Sequence, residues 1–170
     1  MWLIRERLYL GDYRSGEEAL GGALQAVAPG DELAPFAGVV SLCPIPLLPG
    51  ERLDRPASEQ TEWLKVPIAD GGNGQDEFEA ALAIALPFVR RRARQGNVLV
   101  HCAAGMSRSV SVVAALLCED GCTVEEAYTD IAHAKARAIG PTVFGPDALI
   151  APAPEFRTCL NRLYPSPRRR

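Results

Sequence analysis

Val98-Leu99-Val100-His101-Cys102-Ala103-Ala104-Gly105-Met106-Ser107-Arg108-Ser109 is the stretch on which the reading of this chain turns. Its first three residues form a brief, wholly apolar run, the pattern of a strand buried on both faces. From Ser109 onward, Val112, Val113, Leu116 and Leu117 fall at helical spacing and Gly121 ends the run, so a buried helix covers Ser109 to Glu119. The loop between them enters a helix N-terminus. Several backbone N–H groups converge at such a point, and the macrodipole adds partial positive charge. An anion of phosphate size belongs there.

Cys102 stands at the floor of this cradle, a position of the kind that lowers a thiol pKa from about 8.5 into the range of roughly 3.5 to 7.5. Arg108, after five intervening residues, can curl back and offer a planar fork to two phosphate oxygens during an in-line transfer. Gly105 allows the positive φ that a tight anion-cupping loop demands, and Ala103 and Ala104 keep the cradle open. The Gly-x4-Gly-Lys-Ser/Thr pattern of nucleotide-binding loops is absent, and no lysine lies nearby in sequence. The chemistry left for a thiolate under a bound phosphate is attack on phosphorus, giving a phosphocysteine that water later hydrolyses.

Outward from the loop, strands alternate with helices. Leu3 to Leu10 reads as a strand running into a turn at Gly11, Glu17 to Val27 as a short helix, and Phe36 to Leu42 as a buried strand stopped by Cys43-Pro44. Prolines mark a loop from Pro44 to Gln60, Trp63 to Ile68 reads as a further strand, and Asp70-Gly71-Gly72-Asn73-Gly74 is loop. Asp76 is a candidate N-cap for a helix through Phe78, Leu82, Ala85, Val89 and Ala93, with a kink expected at Pro87. Thr123-Val124-Glu125-Glu126 is a capping box opening a helix to about Arg137, and Glu155 to Tyr164 can close the fold. The expected fold class is α/β, with a central, mainly parallel twisted sheet of about four to five strands and helices on both faces. Residues 1–164 read as one catalytic domain, and 165–170 as a basic, disordered tail.

Composition agrees with this. A chain of 170 residues, 48% hydrophobic and 23% charged, is the size of one ordinary domain and needs neither disulfides nor a structural metal to hold a core. A net charge of −3 argues against nucleic-acid binding through an overall basic field. The longest apolar stretch, Ala80 to Val89, is too short to span a bilayer, and the charged N-terminus lacks the order of a secretory signal. A cytoplasmic protein is expected, with no membrane and no nucleic-acid partner. The five scattered cysteines read as reduced thiols, and no metal or cofactor is expected. Cys43, at the end of its buried strand, reads as a core thiol.

His101-Cys102-x5-Arg108-Ser109 resembles the signature of the cysteine-dependent protein tyrosine phosphatases, and the Ala-Gly-x-Ser-Arg-Ser wording resembles their small, atypical dual-specificity branch. Roughly residues 3 to 150 align in order with that branch. The resemblance implies that Cys102 is the nucleophile, that the loop Ala103, Ala104, Gly105, Met106, Ser107 and Arg108 binds phosphate, and that Ser109 helps the thiolate leave. It also implies that His101 orders the loop, that an upstream aspartate is the general acid, and that Cys43 ends its strand on the same sheet edge as Cys102, where a reversible disulfide with Cys102 is the bolder alternative to a core thiol. Asp70, 32 positions before Cys102, fits that role better than Asp76. The implied partner is a phosphorylated protein or peptide. The alternatives are a phosphoprotein-binding module without turnover, or a phosphatase of RNA 5'-phosphates or phosphoinositides. The family often carries a Pro-Asn pair that braces the cradle; here Pro141 is followed by Thr142.

Overall fold

Strand β7 (Val98–His101) is buried along its whole length and forms the middle of a five-stranded sheet. The computed structural model describes residues 1–26, 32–44, 55–140 and 143–166. The sheet contains β1 (Trp2–Arg5), β2 (Leu8–Gly11), β5 (Gly38–Ser41), β6 (Glu62–Lys65) and β7, in the order β1-β2-β7-β5-β6. Only β1 pairs antiparallel; the other pairings are parallel. A separate small sheet pairs β3 (Leu24–Ala26) with β4 (Leu33–Pro35).

Side chains along a strand alternate between faces, and this sorts the core into two layers. Val98, Val100, Leu8, Leu10 and Val40 belong to a large apolar cluster built with α2 (Gln75–Ala93), α3 (Arg108–Glu119), α4 (Val124–Ile139) and α5 (Pro154–Leu163). Leu99 and Val39 turn to the other face, where they meet Ala19 and Leu20 of α1 (Tyr13–Leu20) and Phe36. The expected α/β sheet, mainly parallel and covered on both faces, is the architecture observed. α3, almost wholly buried, packs against α2, α4 and α5. The rings of Phe78 and Phe156 join α2 to α5 at 4.4 Å between centroids.

The register fixes what surrounds the end of β7. His101 stands opposite Gly11 on one side and Ser41 on the other. All three therefore lie at the carboxyl edge of the parallel strands, where α/β folds gather their ligands.

Three local readings change. The run Leu3 to Leu10 is a hairpin, turned at Glu6-Arg7 with Arg7 at φ 62°. The helix placed at Glu17 to Val27 starts earlier, at Tyr13, because Asp12 caps it through Ser15 N–H, and the residues after it form β3. Asp76 is inside the first turn of α2, whose N-cap is Gly74; its negative charge near the positive end of the helix still suits the place. Pro87 lies inside α2, and both it and Ala83, whose carbonyl loses its helical partner to the proline, are on the exposed face, where water can take the bond. The capping box at Thr123 and Glu126 is present as read. Most of the proline-marked loop, together with Pro141-Thr142 and the last four residues, lies outside the described residues.

Gly16 on α1 rests against the edge of the His101 ring, and a Cβ there would come within 2.3 Å of it. Gly16→Ala should destabilise the protein by about 1–3 kcal/mol through overpacking. Urea denaturation measures this, and an unchanged midpoint would show the contact to be loose.

Candidate active site

The polypeptide leaves β7 as the loop 102–107 and enters α3 at Arg108. Cys102 is 1% exposed, and its Sγ lies 3.2 Å from Ser109 Oγ in the first turn of α3. The carbonyls of this loop turn outward to partners. Ala103 O accepts from Tyr13 N–H at the start of α1 (2.9 Å), and Gly105 O accepts from Lys135 Nζ (2.7 Å). Met106 O accepts from Ala151 N–H (2.8 Å), and Ser107 O from Ser111 N–H (2.9 Å) and Ser111 Oγ (3.0 Å). In a planar trans peptide the N–H of the next residue points opposite to the carbonyl. The amides of Ala104, Met106, Ser107 and Arg108 therefore face the inside of the loop, which is what an anion cradle requires. Gly105 sits at φ 68°, and a Cβ on it would meet the Trp2 ring at 2.7 Å and Gly11 O at 3.0 Å. Both its backbone and its surroundings need a glycine. Ala103 and Ala104 are exposed, and Met106 and Ser107 are half-buried.

Behind Cys102 runs a buried polar chain. Trp63 Nε1–H donates to Ser41 Oγ (2.8 Å), and Ser41 Oγ lies 2.6 Å from His101 Nε2. His101 Nδ1 is 3.4 Å from Cys102 O. A carbonyl only accepts, so Nδ1 carries the proton; Nε2 then accepts from the Ser41 hydroxyl, and each group is satisfied. Burial pushes the His101 pKa down, which keeps the ring neutral. His101 thus fixes the Cys102 carbonyl as a neutral donor.

Arg108 is buried although charged, with a side chain 8% exposed. Its Nη1 donates to Ile68 O (3.2 Å) and reaches Leu42 O (3.5 Å), and its Nη2 pairs with Asp70 Oδ2 at 3.3 Å. Its Nε is buried without a partner among the described residues. A guanidinium N–H left unpaired in the interior is costly, and here it belongs to the fork expected to grip a phosphate.

Asp70 rides on a loop closed by Asn73. The Asn73 side chain donates to Ala69 O (2.7 Å) and accepts from Ala69 N–H (3.1 Å). The loop is tied to α5 where Gly72 N–H donates to Glu155 Oε1 at 2.6 Å. The structure thus brings Asp70 to Arg108, whereas Asp76 is an exposed residue of α2. Cys43 is buried and free, as is Cys102, and burial pushes its thiol pKa up. Among the described residues, no group of three or more His, Cys, Asp or Glu could hold a metal ion.

A family model described as the catalytic domain of dual specificity phosphatases matches residues 48–144, more than half of the chain. This chain is a member of that family. The dual-specificity phosphatase fold is shared with human DUSP28, at a TM-score of 0.61 and 20% identity over 95% of this chain and 94% of that one. It is shared with the human tyrosine phosphatase-like serine/threonine/tyrosine-interacting protein at 0.61 and 20%, over 96% and 94% of the two chains. DUSP15 superposes at 0.62 and 19%, over 96% and 86%. At these identities the likeness is one of fold. No curated protein sequence matches significantly. Family membership makes the chain a protein phosphatase of the cysteine-dependent tyrosine phosphatase superfamily. No helix among the described residues is long and apolar enough to cross a membrane.

Sequence reasoning passed over the groups that hold the phosphatase loops in place: Ser41, Trp63, Asn73, Lys135 and Glu155. One had a visible signal. Lys135 continues the stripe of Ala127 and Ile131 at intervals of four, so an ionisable group stands on a face otherwise built for burial. Pro141-Thr142, which replaces the Pro-Asn pair of the family, lies outside the described residues, while Lys135 Nζ and Ala151 N–H hold the loop.

Because burial depresses the His101 pKa, the unfolded chain takes up this proton more readily than the folded one. This contribution to stability is present above the ordinary value near 6.5 and is lost as pH falls from there toward the lower folded value. The urea midpoint of the wild type should therefore fall between pH 7 and 5, and fall less in His101→Gln. Equal slopes would mean that the imidazole titrates freely.

Proposed function

We propose that this phosphatase hydrolyses phosphate monoesters on protein side chains, phosphotyrosine first and phosphoserine and phosphothreonine with it, through a phosphocysteine on Cys102. The observation that carries the reading is that the buried Arg108, whose Nε has no partner among the described residues, pairs with Asp70, while one residue further along α3 Ser109 Oγ lies 3.2 Å from Cys102 Sγ. These groups come from the loop after β7, the first turn of α3 and the loop after β6.

The phosphoryl oxygens enter the cradle, pair with the inward amides and with Arg108 Nε, and compete with Asp70 for the guanidinium. Asp70, its side chain 52% exposed, is free to swing toward the leaving oxygen once displaced. Cys102 Sγ attacks phosphorus as the thiolate, the S–P bond forms and the P–O ester bond breaks, and Asp70, which takes up a proton from solvent on leaving the guanidinium, gives that proton to the departing oxygen. In the second step Asp70 takes a proton from water as the water oxygen attacks phosphorus. The S–P bond then breaks, and Ser109 Oγ–H donates to the departing sulfur across 3.2 Å. The equatorial oxygens stay against fixed donors throughout, which is where most of the rate enhancement in phosphoryl transfer originates.

Two features support a broad choice of phosphorylated side chain. Ala103 and Ala104 at the cradle and Asp70 at its rim are exposed, which suits a shallow cleft that short phosphoserine as well as phosphotyrosine can reach. Uncharged Ala103, Ala104 and Met106 offer nothing to the additional phosphates of an inositol headgroup.

Hydrolysis of p-nitrophenyl phosphate in EDTA tests the reading directly. Cys102→Ser should abolish turnover and still bind a phosphotyrosine peptide. Arg108→Lys should cost on the order of 10²- to 10³-fold in kcat/KM. Asp70→Asn should cost about 10²- to 10⁴-fold in kcat. A wild type that binds phosphopeptide without turnover is a binding module, and near-wild-type rates in Cys102→Ser or Arg108→Lys overturn the assignment.

A further inference from the structure

We propose that Lys135 is a positioning residue of the phosphate loop, holding the Gly105 carbonyl outward so that the Met106 amide faces the anion. The proposal deepens the phosphatase reading and rests on it.

Lys135 is 2% exposed, on the face of α4 turned to the core. Its ammonium donates to Gly105 O and to Leu149 O, each at 2.7 Å, and lies 4.2 Å from the centroid of the Trp2 ring. Burial depresses its pKa to about 8, partly offset by the charges of Cys102 and Asp12. A methionine would fill the same space without any desolvation cost, so the ammonium is poor material for simple packing. What it adds is a charge-assisted bond to one carbonyl of the cradle.

That carbonyl is the vulnerable one. Gly105 is at φ 68° and has no side chain to resist rotation of the peptide that follows it. A flip of the Gly105–Met106 peptide would swing an oxygen into the cradle and take an N–H out, replacing attraction for an anion with repulsion. Lys135 draws the oxygen away, and its charge polarises the peptide so that the Met106 N–H is a stronger donor. By gripping Leu149 as well, the same ammonium ties the loop to the segment that follows α4. Trp2, against both Lys135 and Gly105, closes the burrow from β1.

Calorimetric titration with tungstate, a tetrahedral oxyanion, decides the matter together with p-nitrophenyl phosphate kinetics and Tm. Lys135→Met should bind tungstate roughly 10- to 100-fold more weakly and lose kcat/KM by a similar factor, the size expected for a lost charge-assisted bond. Its Tm without anion should stay level or rise. A merely structural lysine would give the opposite pattern, with a lower Tm and unchanged tungstate affinity in the folded protein. Lys135→Gln, keeping one neutral donor, should fall between, and it carries the test if Lys135→Met does not fold. Tungstate affinity within twofold of wild type in a folded variant overturns the role of Lys135 and leaves the phosphatase reading standing. A wild type that binds tungstate but hydrolyses nothing overturns the phosphatase reading, while the titration still decides Lys135. A wild type that binds no tungstate overturns both.

Discussion

A cradle that binds an anion with backbone amides must turn its carbonyl oxygens the other way, and each of those oxygens needs a donor. Much of the architecture around residues 102–107 answers that need. α1 contributes Tyr13 N–H, α3 contributes Ser111, α4 contributes Lys135, the segment before α5 contributes Ala151 N–H, and β7 contributes His101. Elements distant in sequence thus converge on the backs of a few peptides. The register that places Gly11 and Ser41 beside His101 makes the convergence possible, because it sets β7 between two parallel neighbours with its end open to ligand.

The second constraint is charge. A buried guanidinium is tolerated only when its donors are met, and Arg108 has carbonyls and Asp70 for some of them while its Nε has no partner among the described residues. In the proposed mechanism a phosphoryl dianion would supply what is missing and compete with Asp70 for the fork, so that one side chain would couple capture of the phosphate to release of Asp70. The Asp70 loop is itself held, since Asn73 closes it and Glu155 anchors Gly72 to α5.

Local chemistry was legible in the sequence and long-range bracing was not. The strand, the loop and the helix from Val98 to Glu119 could be read because apolar run, glycine and helical spacing all lie within a few residues of Cys102. Asp70 needed the family resemblance, since its own neighbourhood shows only a loop and the case against Asp76 was its place ahead of a helix; the fold is what sets Asp70 3.3 Å from Arg108. The Glu6-Arg7 turn was missed because it lacks Gly, Asn or Pro, and its sole signal is the break that the charged run Arg5-Glu6-Arg7 makes between two apolar pairs of strand residues. The chain Trp63–Ser41–His101 joins three strands, and its members look like ordinary strand residues until the register aligns them.

The balance of basic residues carries the argument one step further. The chain has two lysines against sixteen arginines, and its described surface ion pairs, such as Arg90 with Asp120 and Arg162 with Glu79, use arginine. At Arg108 the planar fork suits two oxygens of one phosphate. At position 135 the geometry asks for something different: two carbonyls from separate segments, approached by one atom beneath an aromatic face. A compact ammonium with three rotatable donors satisfies that arrangement, whereas a guanidinium presents its donors in a fixed planar fork. In the proposed site the two cations would divide the work of binding one anion, the fork in front of it and the point charge behind the peptide that faces it.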